Sequence, residues 1–429
     1  MLEKTRNLPE LENKIKVPKI ESTPFLEFSS HHDLFWTGTP LEIIDKEKLG
    51  GLYRGIKCFG YSIEDCLNAA EKRGVRGAKE TLACFLKETR LSDFYFQFSF
   101  RRDSLKDTHR SNIAEALKQS DAVLLLIGGW GSCAEVWQAL PDYLLAQCPR
   151  LTIMAIDTPP FNRSKLKANL SEKEKKWVYS TRWANEVIFN AVLTLLGLKS
   201  EDFTKKPFGQ AGHSRGAKQL AERGQAELID ENTATILLQP AAYQEGIYAI
   251  LGALIGTAEI PAIGAIIEKA QKGIFAKPII DQLIPGATDG VKNLHLASFR
   301  ETGSETIART ILDLYLYSLD TSSFNETMHE ANVWAVISKK DRLVSFDEIK
   351  SLLLNSVYID PEKLIETLGD HYSWVIERRV KSVHDMEQAE RMQKVGNVII
   401  KALMQTTGLR EKEGFMVTSD KMLTQLKAS

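Results

Sequence analysis

The sequence predicts an α/β fold: a mostly parallel central sheet with helices on both faces and a helical cap inserted between two of its later strands. Three observations predict it. From about residue 121 onward, short apolar runs alternate with longer helical stretches, the pattern of successive β-α-β units. Of the 429 residues, 43% are apolar and 26% charged, which suffices to bury a large core and is too apolar for a disordered chain. Finally, a serine flanked two residues away on each side by glycine, Gly212 to Gly216, sits where a short strand gives way to a helix.

Residues 122–127 (AVLLLI) read as a buried strand, 134–147 as a helix and 151–156 (LTIMAI) as the next strand. Residues 171–198 form one long helical region, with Ser171, Glu172 and Glu174 favouring its positive N-terminal end. A strand leads from Pro207 to Gly212, a helix covers 218–229 and a strand 234–238. Residues 243–330 break the rhythm with a block whose first half is rich in Ala, Ile, Leu and Gly; this is the expected cap. Alternation then resumes with a strand at 333–337, a helix at 345–354, a long last strand at 372–383 (YSWVIERRVKSV) and a closing helix at 389–405. Earlier in the chain, 93–100 (DFYFQFSF) and 34–44 read as half-buried antiparallel strands, with one helix between Ser62 and Arg73 and a second ending near Arg90. The expected organisation is therefore an extension over residues 1–115 that adds edge strands, a main domain over 116–429, and the cap at 243–330 within it.

Composition narrows the function classes. Lys plus Arg number 55 against 56 Asp plus Glu, and a net charge of −1 leaves no electrostatic footprint for nucleic acid or an anionic membrane. Five scattered cysteines without a C-x-x-C pair suit a reducing compartment, and the charged start MLEKTRNLPELENK has no signal-peptide core, so a cytoplasmic protein is expected. Gly246–Ile267 is long enough to span a bilayer and carries one charge, Glu259, but Pro261 and its place between two strands of one sheet argue against a span.

Chemistry concentrates around Ser214 in Gly212-His213-Ser214-Arg215-Gly216. A nucleophile on a tight strand-to-helix turn needs glycine two residues to either side, because a side chain there would meet neighbouring backbone. The surrounding lines LLLIGGWGSCAEVWQAL and LTIMAIDTPPFNRS, with GSETIARTILDL in the insertion, resemble the α/β-hydrolase superfamily over roughly residues 93–408. Within it they look most like the pimeloyl-carrier-protein methyl ester carboxylesterases, whose loop reads His-Gly-Trp-Gly; here Gly128 takes the histidine's place, and Pro160 and Asn162 replace two glycines.

A serine nucleophile needs a base, and the base an orienting acid, in the superfamily's order Ser, Asp or Glu, His. Asp341, in ISKKDRLV after the strand at 333–337, matches the acid. Two histidines compete for the base. With the last strand at 372–383, His371 precedes it and His384 follows it, some 35 Å away at about 3.3 Å per residue. Active groups gather at the C-terminal ends of strands, so His384 is expected. His213 points away from the nucleophile and reads as structural, and His31-His32-Asp33 lacks further ligands at a metal spacing. The superfamily's oxyanion donors correspond to the backbone N–H groups of Trp130 and Arg215.

The expectation is a serine hydrolase acting on a carboxylic ester or thioester through an acyl-serine, on a small-molecule or carrier-bound acyl substrate, without cofactor or metal. The near-absence of charge in Gly246–Ile267 favours an apolar acyl group. Two other readings stand beside it. Gly129-x-Gly131-x-x-Ala134, followed by Asp157 at the end of the next strand, also fits a dinucleotide fingerprint and thus an NAD(P)-dependent oxidoreductase. A catalytically inactive hydrolase fold serving as a binding protein is the other.

Overall fold

The computed structural model describes residues 56–64, 78–101, 116–117, 119–196, 207–223, 233–241, 265–266, 268–269, 272–274, 276–316, 332–341, 343–355, 359–375, 385–406 and 409. Its strands are β1 (Ile56–Ser62), β2 (Tyr95–Arg101), β3 (Ala122–Ile127), β4 (Leu151–Ile156), β5 (Phe208–His213), β6 (Thr233–Leu238), β7 (Asn332–Ser338) and β8 (Leu364–Thr367). They form one sheet in the order β1-β2-β4-β3-β5-β6-β7-β8. From β4 across to β8 every neighbouring pair is parallel, whereas β2 runs antiparallel to both β1 and β4. This order, with a strand-turn-helix at its centre, is the α/β-hydrolase fold.

The helices are α1 (Ala78–Thr89), α2 (Leu140–Gln147), α3 (Glu172–Val178), α4 (Thr181–Leu196), α5 (Arg215–Arg223), α6 (Ala276–Leu283), α7 (Asp289–Glu301), α8 (Ser304–Leu316), α9 (Phe346–Asn355) and α10 (Asp385–Met404). Two cores sandwich the sheet. Val123, Leu125 and Ile127 of β3 pack with α4 and α5 on one face, and Ala122, Leu124 and Leu126 pack with α2 and α10 on the other. Because both faces are covered, the central strands are apolar throughout rather than alternating.

Several expected elements are redrawn. The polar positions of β2 were expected to face water, yet the whole strand is buried: Gln97 donates to Glu135 Oε1 (2.8 Å) and lies within hydrogen-bond reach of the Tyr95 hydroxyl, so a polar side chain is covered instead of solvated. The helix expected over 134–147 is a 3-10 turn at Ala134–Trp137 followed by α2, separated at Gln138, whose φ is +44°. The region 171–198 contains α3, opened by a reciprocal Ser171–Glu174 cap, and α4, restarted where Ser180 Oγ accepts from the Trp183 N–H. The strand expected at 372–383 is not where the sheet ends. Tyr372, Ser373 and Trp374 lie in a turn, and the last strand, β8, comes eight residues earlier. Residues 376–384, the strand expected at 34–44, and residues 65–73 of the first expected helix lie outside the described residues, as does 246–264 of the apolar segment. Among the described residues no helix is long and apolar enough to cross a membrane.

Candidate active site

Ser214 stands between the end of β5 and the start of α5 with φ at +53°, a left-handed conformation that a non-glycine residue holds only when its surroundings impose it. The backbone imposes it. A Cβ on Gly212 would lie 2.5 Å from the carbonyl carbon and oxygen of Gly216, and one on Gly216 would run into the carbonyl oxygens of Ile127 and Gly128. The Ser214 N–H donates to Leu238 O (2.9 Å), and its carbonyl accepts from Lys218 and Ala241 (3.1 Å each), so the turn is tied to both neighbouring elements. His213 and Arg215 are buried while Ser214 is partly exposed. Arg215, the residue after Ser214, opens α5.

Asp341 follows β7, and its carboxylate is fully engaged. Oδ1 accepts the N–H groups of Leu343 (2.8 Å) and Val344 (3.2 Å), and Oδ2 lies 2.6 Å from Nδ1 of His371. Both side chains are buried, at 3% and 2% exposure. With Nδ1 facing an acceptor, the proton of a neutral His371 sits on Nδ1 and Nε2 is left as the basic nitrogen. His371 lies on the loop that leaves β8 at the C-terminal end of the sheet, and this loop is laced to the Asp341 loop: Lys339 N–H donates to Thr367 O (3.0 Å) and Lys340 N–H to Gly369 O (3.1 Å).

His371, not His384, is therefore the histidine that Asp341 holds; His384 lies outside the described residues. A strand at 372–383 would put the two histidines at its opposite ends, but the last strand, β8, precedes His371 and leaves it at the C-terminal end of the sheet. Residues 364–367 (LIET) are short and half-exposed at the sheet edge and give little apolar signal. The aromatic residues of YSWV that suggested a strand instead bury a turn, with Tyr372 and Trp374 each at 3% exposure.

His213, beside Ser214, braces the His371 loop. Its Nε2 faces two acceptors, Gln239 Oε1 at 3.1 Å and the carbonyl of His371 at 3.3 Å, so Nε2 carries the proton. Burial holds its pKa well below the ordinary imidazole value, with the nearby His371 ring acting in the same direction.

The loop after β3 closes the other side. A Cβ on Gly129 would lie 3.1 Å from Ser214 Cβ and 3.2 Å from the Tyr372 hydroxyl, which places this loop against both the Ser214 turn and the histidine loop. At Gly128, where the resembled family has histidine, a Cβ would lie 2.5 Å from Ser132 Cβ. Here Ser132 Oγ and Tyr372 Oη share a hydrogen bond of 3.3 Å instead, linking the loop to the residue after His371. Trp130 is held from the insertion side: its indole N–H donates to Thr310 of α8 (2.9 Å), and its ring packs on Phe161 and Phe299.

Asp157, the acid that a dinucleotide reading would place on a ribose, is wholly buried and already bound. It accepts the Ala134 N–H (2.7 Å) and three bonds from Arg163, one from its backbone N–H (3.1 Å) and two from its guanidinium (2.7 and 2.8 Å), and Arg163 also pairs with Glu135 (2.6 Å). Burial raises its carboxyl pKa to about 6 against the pull of Arg163. No ribose can reach this carboxylate without breaking that cluster, which takes Asp157 away from the dinucleotide reading. His31, His32 and Asp33 lie outside the described residues, and among the described ones no group of three His, Cys, Asp or Glu side chains could hold a metal.

No protein-family model matches the chain, and no curated protein does. Among solved structures it is similar to 2-hydroxy-6-oxo-6-phenylhexa-2,4-dienoate hydrolase from Rhodococcus sp. strain RHA1, at 12% identity and a TM-score of 0.46, covering 73% of this chain and 94% of that one. It is also similar to a carboxylesterase structure from Nitrososphaera gargenis (12% identity, TM-score 0.46, 73% and 96% covered) and to a thermophilic esterase from Thermogutta terrifontis (12%, 0.44, 72% and 94%). The fold itself is read from the chain's own strand order and from the strand-turn-helix at Ser214.

Proposed function

We propose that this chain is a serine hydrolase that cleaves a carboxylic ester or thioester through an acyl-serine intermediate. The observation that carries the reading is the buried 2.6 Å bond between Asp341 and His371 at the same end of the sheet as Ser214 on its left-handed turn. In this reading Ser214 Oγ attacks the acyl carbon while its proton passes to Nε2 of His371. The acyl C–O or C–S bond then breaks, and the leaving alcohol or thiol takes that proton. Water repeats the sequence and frees the acid. Asp341 keeps the imidazole in the right tautomer and stabilises it when charged, and the N–H groups of Trp130 and Arg215 are the proposed oxyanion donors.

The helical insertion is the proposed cap. Ile307, Ala308 and Ile311 of α8 form a buried apolar cluster to which Trp130 and Phe299 add their rings, which supports an apolar acyl group beside the oxyanion loop. The lines around Trp130 that resemble the methyl ester carboxylesterases favour a carboxylic ester, free or carrier-bound. The test is labelling with a fluorophosphonate followed by peptide mapping, run beside hydrolysis of p-nitrophenyl acetate and octanoate. We expect label on Ser214, loss of turnover in Ser214→Ala, and octanoate favoured by about tenfold or more in kcat/KM, since each buried methylene contributes up to about 0.8 kcal/mol. Unlabelled protein, or a Ser214→Ala variant that still turns over, leaves an inactive binding protein as the reading.

A further inference from the structure

Helix α7 lies over the loop that follows β3. Phe299 packs on the Trp130 ring at 6.3 Å, and a Cβ on Gly131 would stand 3.6 Å from the Ser298 hydroxyl oxygen. One turn earlier, His295 packs edge-on against Tyr372 with ring centroids 5.0 Å apart, and Tyr372 in turn packs on His371 and His213. Three residues apart on one helix, His295 and Ser298 share a face, and that face looks onto the oxyanion loop and the residue after His371.

Both side chains are buried, His295 at 6% exposure and Ser298 at 2%, and neither His295 Nε2 nor Ser298 Oγ has a hydrogen-bond partner among the described residues. Buried polar atoms are normally satisfied, and an apolar residue at either position would avoid the desolvation. Two such atoms on one helix face, set against the loop that touches Ser214 and against Tyr372, are what a site looks like when its partner arrives with the substrate.

We infer that His295 and Ser298 form a recognition site for an uncharged oxygen, a hydroxyl or carbonyl, carried by the acyl group close to the scissile carbonyl. The inference rests on the ester-hydrolase reading and sharpens it by adding a polar handle at the start of an otherwise apolar acyl chain. The handle is uncharged because the imidazole is: burial, helped by the neighbouring His371, lowers the pKa of His295 to about 4, so it meets its ligand as a neutral donor or acceptor. A serine hydroxyl can likewise donate or accept, so the pair suits a group that can itself play either role. A site built to hydrogen-bond an oxygen discriminates strongly against the analogue lacking it, because its own buried groups then stay unpaired.

The experiment compares kcat/KM of the full chain for p-nitrophenyl butyrate, 2-hydroxybutyrate and 3-hydroxybutyrate, each normalised to its rate with hydroxide, with fluorophosphonate labelling of Ser214 run on every protein. The expected result is a preference of about tenfold or more for one hydroxylated ester over butyrate, collapsing to within about threefold in His295→Leu/Ser298→Ala. Ser298→Ala alone, which removes one oxygen and almost no volume, guards against misfolding of the double variant and should weaken the preference without lowering Tm. Equal rates on all three esters while Ser214 still labels overturn this inference and leave the hydrolase reading intact. A preference that survives in both variants also overturns it. Absence of both labelling and hydrolysis overturns the hydrolase reading, and this inference with it.

Discussion

The turn that carries Ser214 and the loop that carries His371 leave the same end of one sheet, and they are held there by different means. The turn is shaped by backbone. Gly212 and Gly216 have no room for a Cβ, and the backbone bonds from Ser214 to Leu238, Lys218 and Ala241 tie it to both neighbouring elements. The histidine loop is shaped by side chains drawn from distant segments: Asp341 after β7, His213 at the end of β5, Ser132 after β3, and His295 on α7. Among the described residues, buried atoms without a partner occur on both sides: Gln219 Nε2 and Oε1 and Gln239 Nε2 flank the Ser214 turn, and His213 Nδ1, His295 Nε2, Ser373 Oγ and Trp374 Nε1 lie around the histidine loop, each a cost of roughly 1–3 kcal/mol by general experience. A turn fixed by sterics tolerates almost no change, whereas a loop fixed by side chains depends on groups far apart in the sequence.

The largest expected effect separates the two histidines. If the loop after β8 supplies the base, His371→Ala lowers kcat on an activated ester by about a thousandfold or more, while His384→Ala stays within about twofold. Steady-state kinetics on both purified variants, with circular dichroism to confirm folding, decide this. A comparable loss in His384→Ala would mean that the Asp341–His371 bond is a structural clasp and that the comparison is drawn between the wrong segments.

Next in size is the steric claim about the turn. Gly216→Ala adds a single methyl group where two carbonyl oxygens already stand, so we expect a loss of about 3 kcal/mol in urea unfolding, at the upper end of overpacking effects, together with loss of activity. A destabilisation below about 1 kcal/mol would show that the turn relaxes easily and is no more rigid than the loop opposite it.

These two regions also differed in how far they could be read from sequence. The Ser214 turn is a local pattern, five residues long, whose reason is steric and contained in the pattern itself. The parallel strands were equally legible, since β3, β4, β6 and β7 are apolar runs buried on both faces. Asp341 was found by its place after such a strand. His371 was missed because its position depends on β8, four residues with no apolar run, two of them charge-bearing or hydroxylated. The aromatic alternation of 372–375 serves packing against His213 and Trp137 instead of a sheet. His295 and Ser298 left no signal at all. On an amphipathic helix they look like any polar residues, and only the fold turns their face inward.

The smallest expected effect concerns that inward face and is read through pH. The imidazole of His295 titrates near 6.5 when exposed and at about 4 in the folded chain, because burial disfavours its charged form and His371 stands close by. The unfolded chain therefore takes up this proton first as pH falls. The stability involved is present above about pH 6.5 and drains away towards pH 4, amounting to about 2 kcal/mol between pH 7 and pH 5. His213, whose pKa is lowered for the same reason, adds loss in the same direction. Urea unfolding at the two pH values should thus show wild type losing more stability than His295→Leu, by about that amount, while the variant retains the His213 share of the slope. If the two proteins lose stability in parallel, His295 accepts its proton inside the fold at no cost. The face of α7 would then be wet and its polar atoms already satisfied, and the histidine side of the site would be as settled without a ligand as the turn that faces it.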